Sequence, residues 1–404
     1  MNILFDQTEA QAVFYNGAAE YAQAVFLQMV SQLDKFPQVR LYSLYSSDKV
    51  FSYDNLSPTA LKDVKQVISV DYSKKSVKQI IKEYHIDLLF ITCGQAFCDL
   101  PVGDLSNLGC QVVVVIHDMY LAEMKSSKIE WLHHIQHPRH YLQEAMNRVK
   151  TRLMAKAVKS RGSMLQNLIE DNNSTIITVS EYTRQSIEYF FPSYREKIHV
   201  FYSPMKVCPQ QKDEIDNEDL RTIVNQNKKY YLLLSADRIT KNGERMLKAF
   251  HHYITNEDPS VLIVTTGCKT SLFPQHIALP LLSSSDINNA YKHCHALLYP
   301  SLFEGFGYPP IEAMKYGKPV LSSNVCSMPE ILEDSPIYFS PFYESSIYGA
   351  LKKFNATDYD SLREKASIQF DLISRKQNND LLRLTTMLMD GTFIHKNNTH
   401  NDAG

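Results

Sequence analysis

The chain has 404 residues, and its 42 Lys and Arg residues nearly balance its 44 Asp and Glu residues, which gives a formal charge of −2 at pH 7. This balance argues against a general nucleic-acid binder, and the apolar content of 44% excludes a disordered tail protein. A chain of this length is typical of two or three domains that each bury a core. We find no apolar run of about 18 residues that would predict a membrane span, and no secretory signal at the N-terminus.

The cysteines and histidines indicate neither disulfides nor a metal centre. Seven cysteines without a C-x-x-C pair are typical of free thiols in a reducing compartment, so we expect a cytoplasmic protein. His293, Cys294 and His295 are consecutive, and their side chains therefore point in different directions. A metal ion needs ligands that converge, so we expect no metal site at these residues.

Short apolar segments alternate with helical patterns in the first half of the chain, which predicts βαβ units and a parallel sheet. The predicted strands are 2–5, 39–44, 86–92, 110–116, 175–179 and 197–202. The predicted helices are 18–33, a segment that ends near Tyr84, and 181–190. The run 112–116, VVVVI, is apolar on both faces, as expected for a strand in the middle of such a sheet.

A polar segment, 206–229, follows this pattern and is the predicted linker between two domains, 1–205 and 230–375. The second domain has predicted strands at 230–235, 261–265, 296–299 and 320–322, and predicted helices at 244–253, 287–292 and 310–316. Two further helices, 358–376 and 379–389, are predicted to precede a frayed tail. No GxGxxG follows the first strand, so the usual dinucleotide-binding pattern is absent.

The scarce glycines cluster in one segment. The chain has 13 glycines, of which three fall within 301–320. This segment is predicted to run from a strand through a glycine-containing loop into a short helix that begins near Pro309 and Pro310 and ends at Gly317. The N–H groups at the start of the helix, together with its dipole, predict an anion site for a group such as a diphosphate.

Two acids lie beside this predicted anion site. Glu304 belongs to the loop, and Glu312 is predicted to lie in the first turn of the helix. Carboxylates are poor phosphate ligands but good acceptors for hydroxyl groups, so the pair fits a sugar nucleotide, with one acid for sugar hydroxyls and one for ribose hydroxyls. The same acids could instead cap the helix, because acids are favoured near helix N-termini. On residue chemistry alone, both interpretations stay open.

The segment 300–332, PSLFEGFGYPPIEAMKYGKPVLSSNVCSMPEIL, resembles the hallmark segment of family-4 glycosyltransferases (glycosyl transferases group 1), which have the GT-B fold. The segments 112–120, 178–190 and 231–250 resemble further parts of that family in the same order. The resemblance implies an α/β protein of two Rossmann-like, doubly wound parallel-sheet domains that face each other across a cleft. It also implies that 376–404 contains a closing helix that returns to the N-terminal domain.

The resemblance assigns the charged residues of a donor site. Arg238 and Lys241 match the cation pair for the donor diphosphate, a role that suits a forked guanidinium and a compact ammonium. Glu304 matches the acid that holds donor-sugar hydroxyls near the reacting carbon, and Glu312 matches the acid that binds the ribose. The chain departs from the family in its short spacing between the two cations and in Ser235, which opens the stretch where a glycine is usual.

The remaining matched residues lie in two loops. Gly305, Phe306 and Gly307 match the loop whose amides face the donor phosphate and sugar. His117 matches an N-domain histidine whose side chain reaches the donor sugar, and Gly17 remains from a glycine-rich loop that also contributes to donor binding. The catalytic residues implied by the resemblance are Glu304, His117, Arg238 and Lys241.

The resemblance implies transfer of a hexose from a nucleotide-diphosphate sugar to a hydroxyl group with retention, without a metal ion or another cofactor. The expected partners are this donor and a glycan, lipid-linked or protein acceptor, in surface polysaccharide, glycolipid or glycoprotein glycan assembly; no nucleic acid is expected. Two alternatives stay open. One is a catalytically silent glycosyltransferase-like subunit that partners an active enzyme, and the other is a GT-B nucleotide-sugar epimerase or a phosphorylase.

Residues 121–162 are strongly basic. They include nine Lys or Arg and three Asp or Glu, a local excess of six positive charges. This segment can be a solvated helical face, or a basic surface for an anionic membrane or a phosphate-bearing acceptor. The second interpretation predicts peripheral attachment at the inner face of a membrane.

Overall fold

The computed structural model describes residues 1–11, 17–73, 75–97, 108–120, 122–123, 165–207, 214–268 and 270–394. The chain divides into two compact units, Met1–Val207 with Gln377–Gly404, and Cys208–Lys376. Each unit is built on its own parallel sheet, which confirms the prediction of two Rossmann-like α/β domains. Most of the basic segment 121–162 lies outside the described residues.

The first unit contains a seven-stranded sheet with the order β3-β2-β1-β4-β5-β6-β7. Its strands are β1 (Asn2–Asp6), β2 (Arg40–Tyr45), β3 (Val67–Asp71), β4 (Leu88–Ile91), β5 (Gln111–Ile116), β6 (Ser174–Thr178) and β7 (Ile198–Val200). Its described helices include α1 (Gly17–Gln32), α2 (Pro58–Leu61), α3 (Val77–Glu83), α4 (Gly94–Phe97) and α5 (Glu181–Phe190). Every residue of β5 is buried, as its apolar pattern predicts for a strand covered on both faces.

The second unit contains a six-stranded sheet with the order β10-β9-β8-β11-β12-β13. Its strands are β8 (Tyr230–Leu233), β9 (Leu262–Thr266), β10 (His276–Leu279), β11 (Ala296–Tyr299), β12 (Val320–Ser323) and β13 (Ile337–Phe339). Its helices are α6 (Glu218–Asn225), α7 (Gly243–Asn256), α8 (Ser284–His293), α9 (Tyr308–Lys315), α10 (Met328–Leu332) and α11 (Glu344–Ala356). Met246, Phe250 and Tyr253 recur at helical spacing on α7 and are buried in the core of this unit.

The C-terminal helix differs from its prediction. Helices 358–376 and 379–389 are one helix, α12 (Tyr359–Met389), and the boundary between the two units falls within it. Buried Gln377 donates from Nε2 to the carbonyl oxygen of Ser203 at 2.6 Å, and Asp380 accepts the N–H of Tyr202 at 2.9 Å. These bonds hold the polar middle of α12 in helical form, and no glycine or proline interrupts it. Among the described residues, no helix has the length and apolarity needed to cross a bilayer.

Other differences concern short elements. The strands β3, β10 and β13 were not predicted. β3 lies at one edge of the first sheet, and β10 and β13 lie at the two edges of the second. The helix α6 lies within the segment predicted to be a linker, and its Leu220 and Ile223 are buried. The helix α9 begins at Tyr308, two residues before its prediction, and Gly317 follows its end with φ = 61°, the left-handed conformation predicted for that glycine.

Candidate functional site

Two of the predicted donor-site residues of the second unit, Lys241 and Glu304, meet at a topological switch point. The strands β8 and β11 are neighbours in the sheet, but the chain continues from β8 towards β9 on one side and from β11 towards β12 on the other. Ligands of such sheets bind in the crevice beyond the carboxyl ends of the two strands. Arg238 and Lys241 follow β8, and Glu304 follows β11.

Lys241 and Glu304 form an ion pair at this switch point. Lys241 Nζ lies 2.5 Å from Glu304 Oε1, and the two side chains are only 13% and 16% exposed. The same ammonium donates to the hydroxyl of Tyr299, the last residue of β11, at 3.1 Å. Burial acts to raise the pKa of Glu304, but the charge and hydrogen bond of Lys241 outweigh it and hold that pKa below its ordinary value. Glu304 is therefore a carboxylate at neutral pH.

The turn that carries Lys241 is joined to the loop after β11. Asn242 adopts a left-handed conformation with φ = 55° and is 8% exposed. Its Nδ2 donates to the carbonyl oxygens of Pro300 at 3.2 Å and Pro341 at 2.8 Å. The N–H of Leu302 in turn donates to the carbonyl oxygen of Thr240 at 2.7 Å. These bonds fix the distance between the cation-bearing turn and the acid-bearing loop.

Arg238 is placed differently from Lys241. Its side chain is exposed and has no ion pair or hydrogen bond with any other described residue. Ser235 has φ = 52°, so the serine adopts a backbone conformation that favours the glycine usual in the resembling family. The exposed side chain of Arg238 thus lies at the rim of the candidate site, whereas the side chain of Lys241 is held by Glu304 and Tyr299.

The glycine-containing loop is held from below by Ser327. The hydroxyl of Ser327 is buried and lies 3.0 Å from the carbonyl oxygen of Glu304 and 3.3 Å from that of Phe306. Gly307 has φ = 91°, and a Cβ at that position would lie 2.2 Å from Cε of Met328. Both the conformation and the space require glycine at 307. Gly305, between Glu304 and Phe306, completes this loop.

The start of α9 offers fewer N–H groups than the sequence analysis expects. Gly307 is the N-cap, and the helix then continues through Tyr308, Pro309 and Pro310. Proline has no backbone N–H, so two of the donors in the predicted anion site do not exist. An anion at this position would depend on the loop amides and on side-chain cations.

Glu312 lies in the second turn of α9 and not in the first, because the helix begins at Tyr308. No acid occupies the first turn and no side chain caps the helix, so neither Glu312 nor Glu304 caps α9. Glu312 Oε2 instead accepts a hydrogen bond from the hydroxyl of buried Tyr291 at 2.7 Å. Of the two interpretations left open by the sequence, the capping one is wrong.

His117 and Gly17 belong to the first unit. Nε2 of His117 lies 2.9 Å from the carbonyl oxygen of Thr92. A carbonyl oxygen only accepts, so Nε2 carries the proton and Nδ1 is left as an acceptor. Burial lowers the pKa of His117 to about 4, which keeps the ring neutral at pH 7. Thr183, in the Ser-Glu-x-Thr element, donates to the carbonyl oxygen of His117 at 3.2 Å, and Gly17 begins α1.

Four residues that contact the site were missed by the sequence analysis. Tyr299 and Tyr291 were assigned to a strand and a helix as apolar residues, and the positions of their hydroxyl groups depend on the fold. Asn242 directly follows Lys241 in the matched segment 231–250, and Ser327 lies in the matched segment 300–332. The signal available in the sequence for Asn242 and Ser327 was a polar side chain within a matched segment.

Comparison with known proteins identifies the second unit. Residues 216–344 match the family described as glycosyl transferases group 1. The match lies within the second unit. All the predicted donor-site residues of the second unit, from Arg238 to Glu312, lie within the matched range.

Curated proteins similar to this chain include mannosyltransferases. The O-antigen chain mannosyltransferase RfbU of Salmonella typhimurium is 28% identical over 189 residues, which are 44% of this chain and 50% of RfbU. The serotype-specific mannosyltransferase WbdA of Escherichia coli is 37% identical over 79 residues, 20% of this chain and 10% of WbdA. The chain thus spans half or less of the length of these two relatives.

Solved structures extend the similarity to both units. Anabaena HepE in complex with UDP-glucose has a TM-score of 0.63 at 15% identity and covers 97% of this chain and 100% of its own. WaaG, a glycosyltransferase involved in lipopolysaccharide biosynthesis, has a TM-score of 0.57 at 15% identity and covers 96% and 99%. At this identity the likeness concerns the fold, and it confirms the predicted GT-B fold class.

Proposed function

We propose that this protein is a glycosyltransferase that moves a hexose from a nucleoside-diphosphate sugar to a hydroxyl group of an acceptor, with retention and without a metal ion. The observation that carries the proposal is the buried Lys241–Glu304 ion pair at the switch point of the second sheet. Such a pair places a fixed cation and a hydroxyl acceptor side by side, which are the two groups that a sugar diphosphate needs.

Lys241 can serve a phosphate without leaving its partners. An ammonium has three N–H donors, and the described contacts of Lys241 use one for Glu304 and one for Tyr299. The third can donate to a diphosphate oxygen, and the exposed Arg238 can add a forked contact. Negative charge grows on the diphosphate as the sugar departs, so both cations would stabilise the transition state in the role that a divalent ion has elsewhere.

The acids divide the remaining recognition of the donor. Glu304, held as a carboxylate by Lys241, would accept hydrogen bonds from hydroxyls of the donor sugar, and Glu312 would accept them from the ribose. His117, neutral and with Nδ1 as an acceptor, would receive a sugar hydroxyl and not a proton. The amides of Gly305, Phe306 and Gly307 would face the phosphate and sugar.

We propose mannose as the first donor sugar to test and a growing surface polysaccharide as the acceptor. The proposal rests on the activities of RfbU, an O-antigen chain mannosyltransferase, and WbdA, a serotype-specific mannosyltransferase. Glucose is the second candidate, because HepE binds UDP-glucose. Glycolipid and glycoprotein acceptors belong to the same class of hydroxyl acceptors and enter the same assay.

The proposal is tested with a panel of nucleoside-diphosphate sugars. Thermal shift identifies the donor that stabilises the full chain, and release of nucleoside diphosphate with and without acceptor then measures transfer. Lys241→Ala and Glu304→Ala should each reduce transfer by two orders of magnitude or more while the protein stays folded. The matched control is Lys248→Ala, which removes an exposed ion pair with Glu244 at 2.8 Å on α7 and should leave transfer unchanged.

Different failures point to different alternatives. Normal transfer by both Lys241→Ala and Glu304→Ala would show that the site is assigned wrongly. A chain that binds none of UDP, GDP and ADP in calorimetry would be the silent subunit of the alternative interpretation. Conversion of the nucleotide sugar without any acceptor would indicate an epimerase, and dependence on inorganic phosphate would indicate a phosphorylase.

We further propose that the basic segment 121–162 attaches the protein to an anionic membrane, where a lipid-linked acceptor would be found. The proposal rests on the excess of six positive charges in the sequence. Co-sedimentation with vesicles that contain an anionic lipid should decrease strongly when salt is raised from low to high concentration. Equal sedimentation with neutral vesicles would remove this proposal and leave the glycosyltransferase proposal intact.

A further inference from the structure

Each of the two acids in the candidate donor site lies beside a buried tyrosine. Tyr299 ends β11 and is 3% exposed, and Tyr291 lies in α8 and is fully buried. The Tyr291 hydroxyl donates to Glu312 Oε2 at 2.7 Å. The Tyr299 hydroxyl accepts from Lys241 Nζ at 3.1 Å, and that ammonium is paired with Glu304 at 2.5 Å.

The hydroxyl groups have no role in filling the core. A phenylalanine ring would occupy nearly the same volume at both positions, so packing alone does not explain a tyrosine. Buried phenols are usually hydrogen-bonded, and here both partners belong to the group of residues proposed to bind the donor. Lys241 also lies 4.9 Å from the centre of the Tyr299 ring, a second contact that restrains the ammonium.

The two tyrosines restrain different parts of the group. Tyr299 accepts a hydrogen bond from Lys241, whose pair with Glu304 is proposed to hold the diphosphate and the sugar. The Tyr299 hydroxyl also acts on Glu304 itself and helps to lower the pKa of that acid. Tyr291 contacts Glu312, which is proposed to hold the ribose. Long charged side chains lose rotamer freedom when they bind a ligand, and a fixed hydroxyl partner removes part of that loss beforehand.

We propose that Tyr299 and Tyr291 are positioning residues for the donor, with Tyr299 holding the Lys241–Glu304 pair for the sugar-transfer step and Tyr291 holding Glu312 for nucleoside binding. This inference deepens the proposed function and rests on it. Its distinctive consequence is that the two hydroxyls affect separate kinetic constants. A merely structural role would lower only the apparent kcat, through the amount of folded protein, and would neither raise the Kd nor move the pH–rate profile.

The test compares Tyr299→Phe and Tyr291→Phe with Tyr230→Phe in the full chain. Tyr230 is the matched control, because it is 1% exposed and its hydroxyl donates to the carbonyl oxygen of Ala290 at 2.7 Å, with no acid involved. Calorimetry measures the Kd for UDP, GDP and ADP, and initial rates measure kcat and KM for the donor.

Tyr291→Phe should raise the Kd of the nucleoside diphosphate roughly tenfold, the loss expected for one hydrogen bond to a charged group. Tyr299→Phe should change that Kd by less than about twofold but lower kcat roughly tenfold or more. It should also move the acidic limb of the pH–rate profile to higher pH, because Glu304 loses a hydrogen bond that lowers its pKa. Tyr230→Phe should change none of these constants.

The outcomes separate the inference from the proposed function. A wild-type chain that neither binds a nucleoside diphosphate nor transfers a sugar overturns both. If the wild type transfers sugar and Glu304→Ala does not, but both phenylalanine variants behave like Tyr230→Phe, the inference alone is wrong. The inference is also wrong if Tyr230→Phe shows the same losses as the other two, since the effect would then come from the buried hydrogen bond in general.

Discussion

Asn242 is the residue whose replacement tests how the site is held together. Its Nδ2 donates to the carbonyl oxygens of Pro300 and Pro341, and its backbone has φ = 55°. Nη1 of Arg245 also donates to Oδ1 of Asn242 at 2.6 Å, so the substitution removes three hydrogen bonds, at a cost of roughly 3 kcal/mol together. The left-handed conformation costs an alanine roughly 1–2 kcal/mol more than a glycine. Asn242→Ala should therefore lower the free energy of unfolding by about 4–5 kcal/mol, and Asn242→Gly by about 3 kcal/mol.

The assay is urea unfolding of the full chain, followed by circular dichroism, with transfer rates measured on the folded variants. Asn256→Ala is the control, because Asn256 lies at the exposed end of the same helix and bonds only within it; it should cost less than about 0.5 kcal/mol. Transfer should fall in both Asn242 variants, since Lys241 loses its fixed distance from the loop after β11. Equal stability of the Ala and Gly variants would refute the backbone part of the reasoning. A loss below about 1 kcal/mol in both would refute the hydrogen-bond part.

Three further changes test other contacts. Ser327→Ala should lower stability by about 1–2 kcal/mol and reduce transfer, because the carbonyl oxygens of Glu304 and Phe306 lose their buried donor; an unchanged urea midpoint would contradict this. Gly307→Ala should cost about 1–2 kcal/mol through its positive φ, in addition to the steric conflict with Met328. Measured against Met328→Ala alone, the double variant should still show the cost of φ but not the steric part; equal stability of Met328→Ala and the double variant would show that φ contributes nothing. Asp6→Asn should stabilise the protein by up to about 3 kcal/mol at pH 7.5 and by little near pH 4. Burial raises the pKa of Asp6 to about 6, so the stability that its protonated form gives below its ordinary pKa is lost as the pH rises through 6; a variant less stable than the wild type at pH 7.5 would count against this.

The central elements of the fold could be predicted because their sequence patterns have one explanation. The run 112–116 is apolar at every position, which suits only a strand covered on both faces, and β5 is such a strand. The strand β3 escaped prediction because it is an edge strand with mixed burial, and Ile68 within it is 38% exposed. The break predicted between 376 and 379 followed a polar stretch, but the bonds of Gln377 and Asp380 to the first unit decide its conformation.

The candidate site was predictable as far as its residues stand within matched motifs. Glu304 and Lys241 were expected to contribute to one site, and they form an ion pair. The contribution of Tyr299 could not be read from the sequence, because an apolar strand pattern does not say whether a phenol will end beside a carboxylate. The position of Glu312 in its helix depended on where α9 begins, and element boundaries are set by local capping that a pattern defines only to within a few residues.

The two consecutive prolines at the start of α9 have a consequence for how affinity depends on the solution. A helix start that presents a full set of peptide N–H groups grips an anion through short, oriented bonds that mobile ions weaken little. Here Pro309 and Pro310 remove two of those bonds, so attraction must come largely from the charges of Lys241 and of rim-exposed Arg238. Attraction between charges near a surface is screened by dissolved ions. The Kd for a pyrophosphate should therefore rise with ionic strength. The rise should be larger if Arg238 supplies a larger share of the attraction.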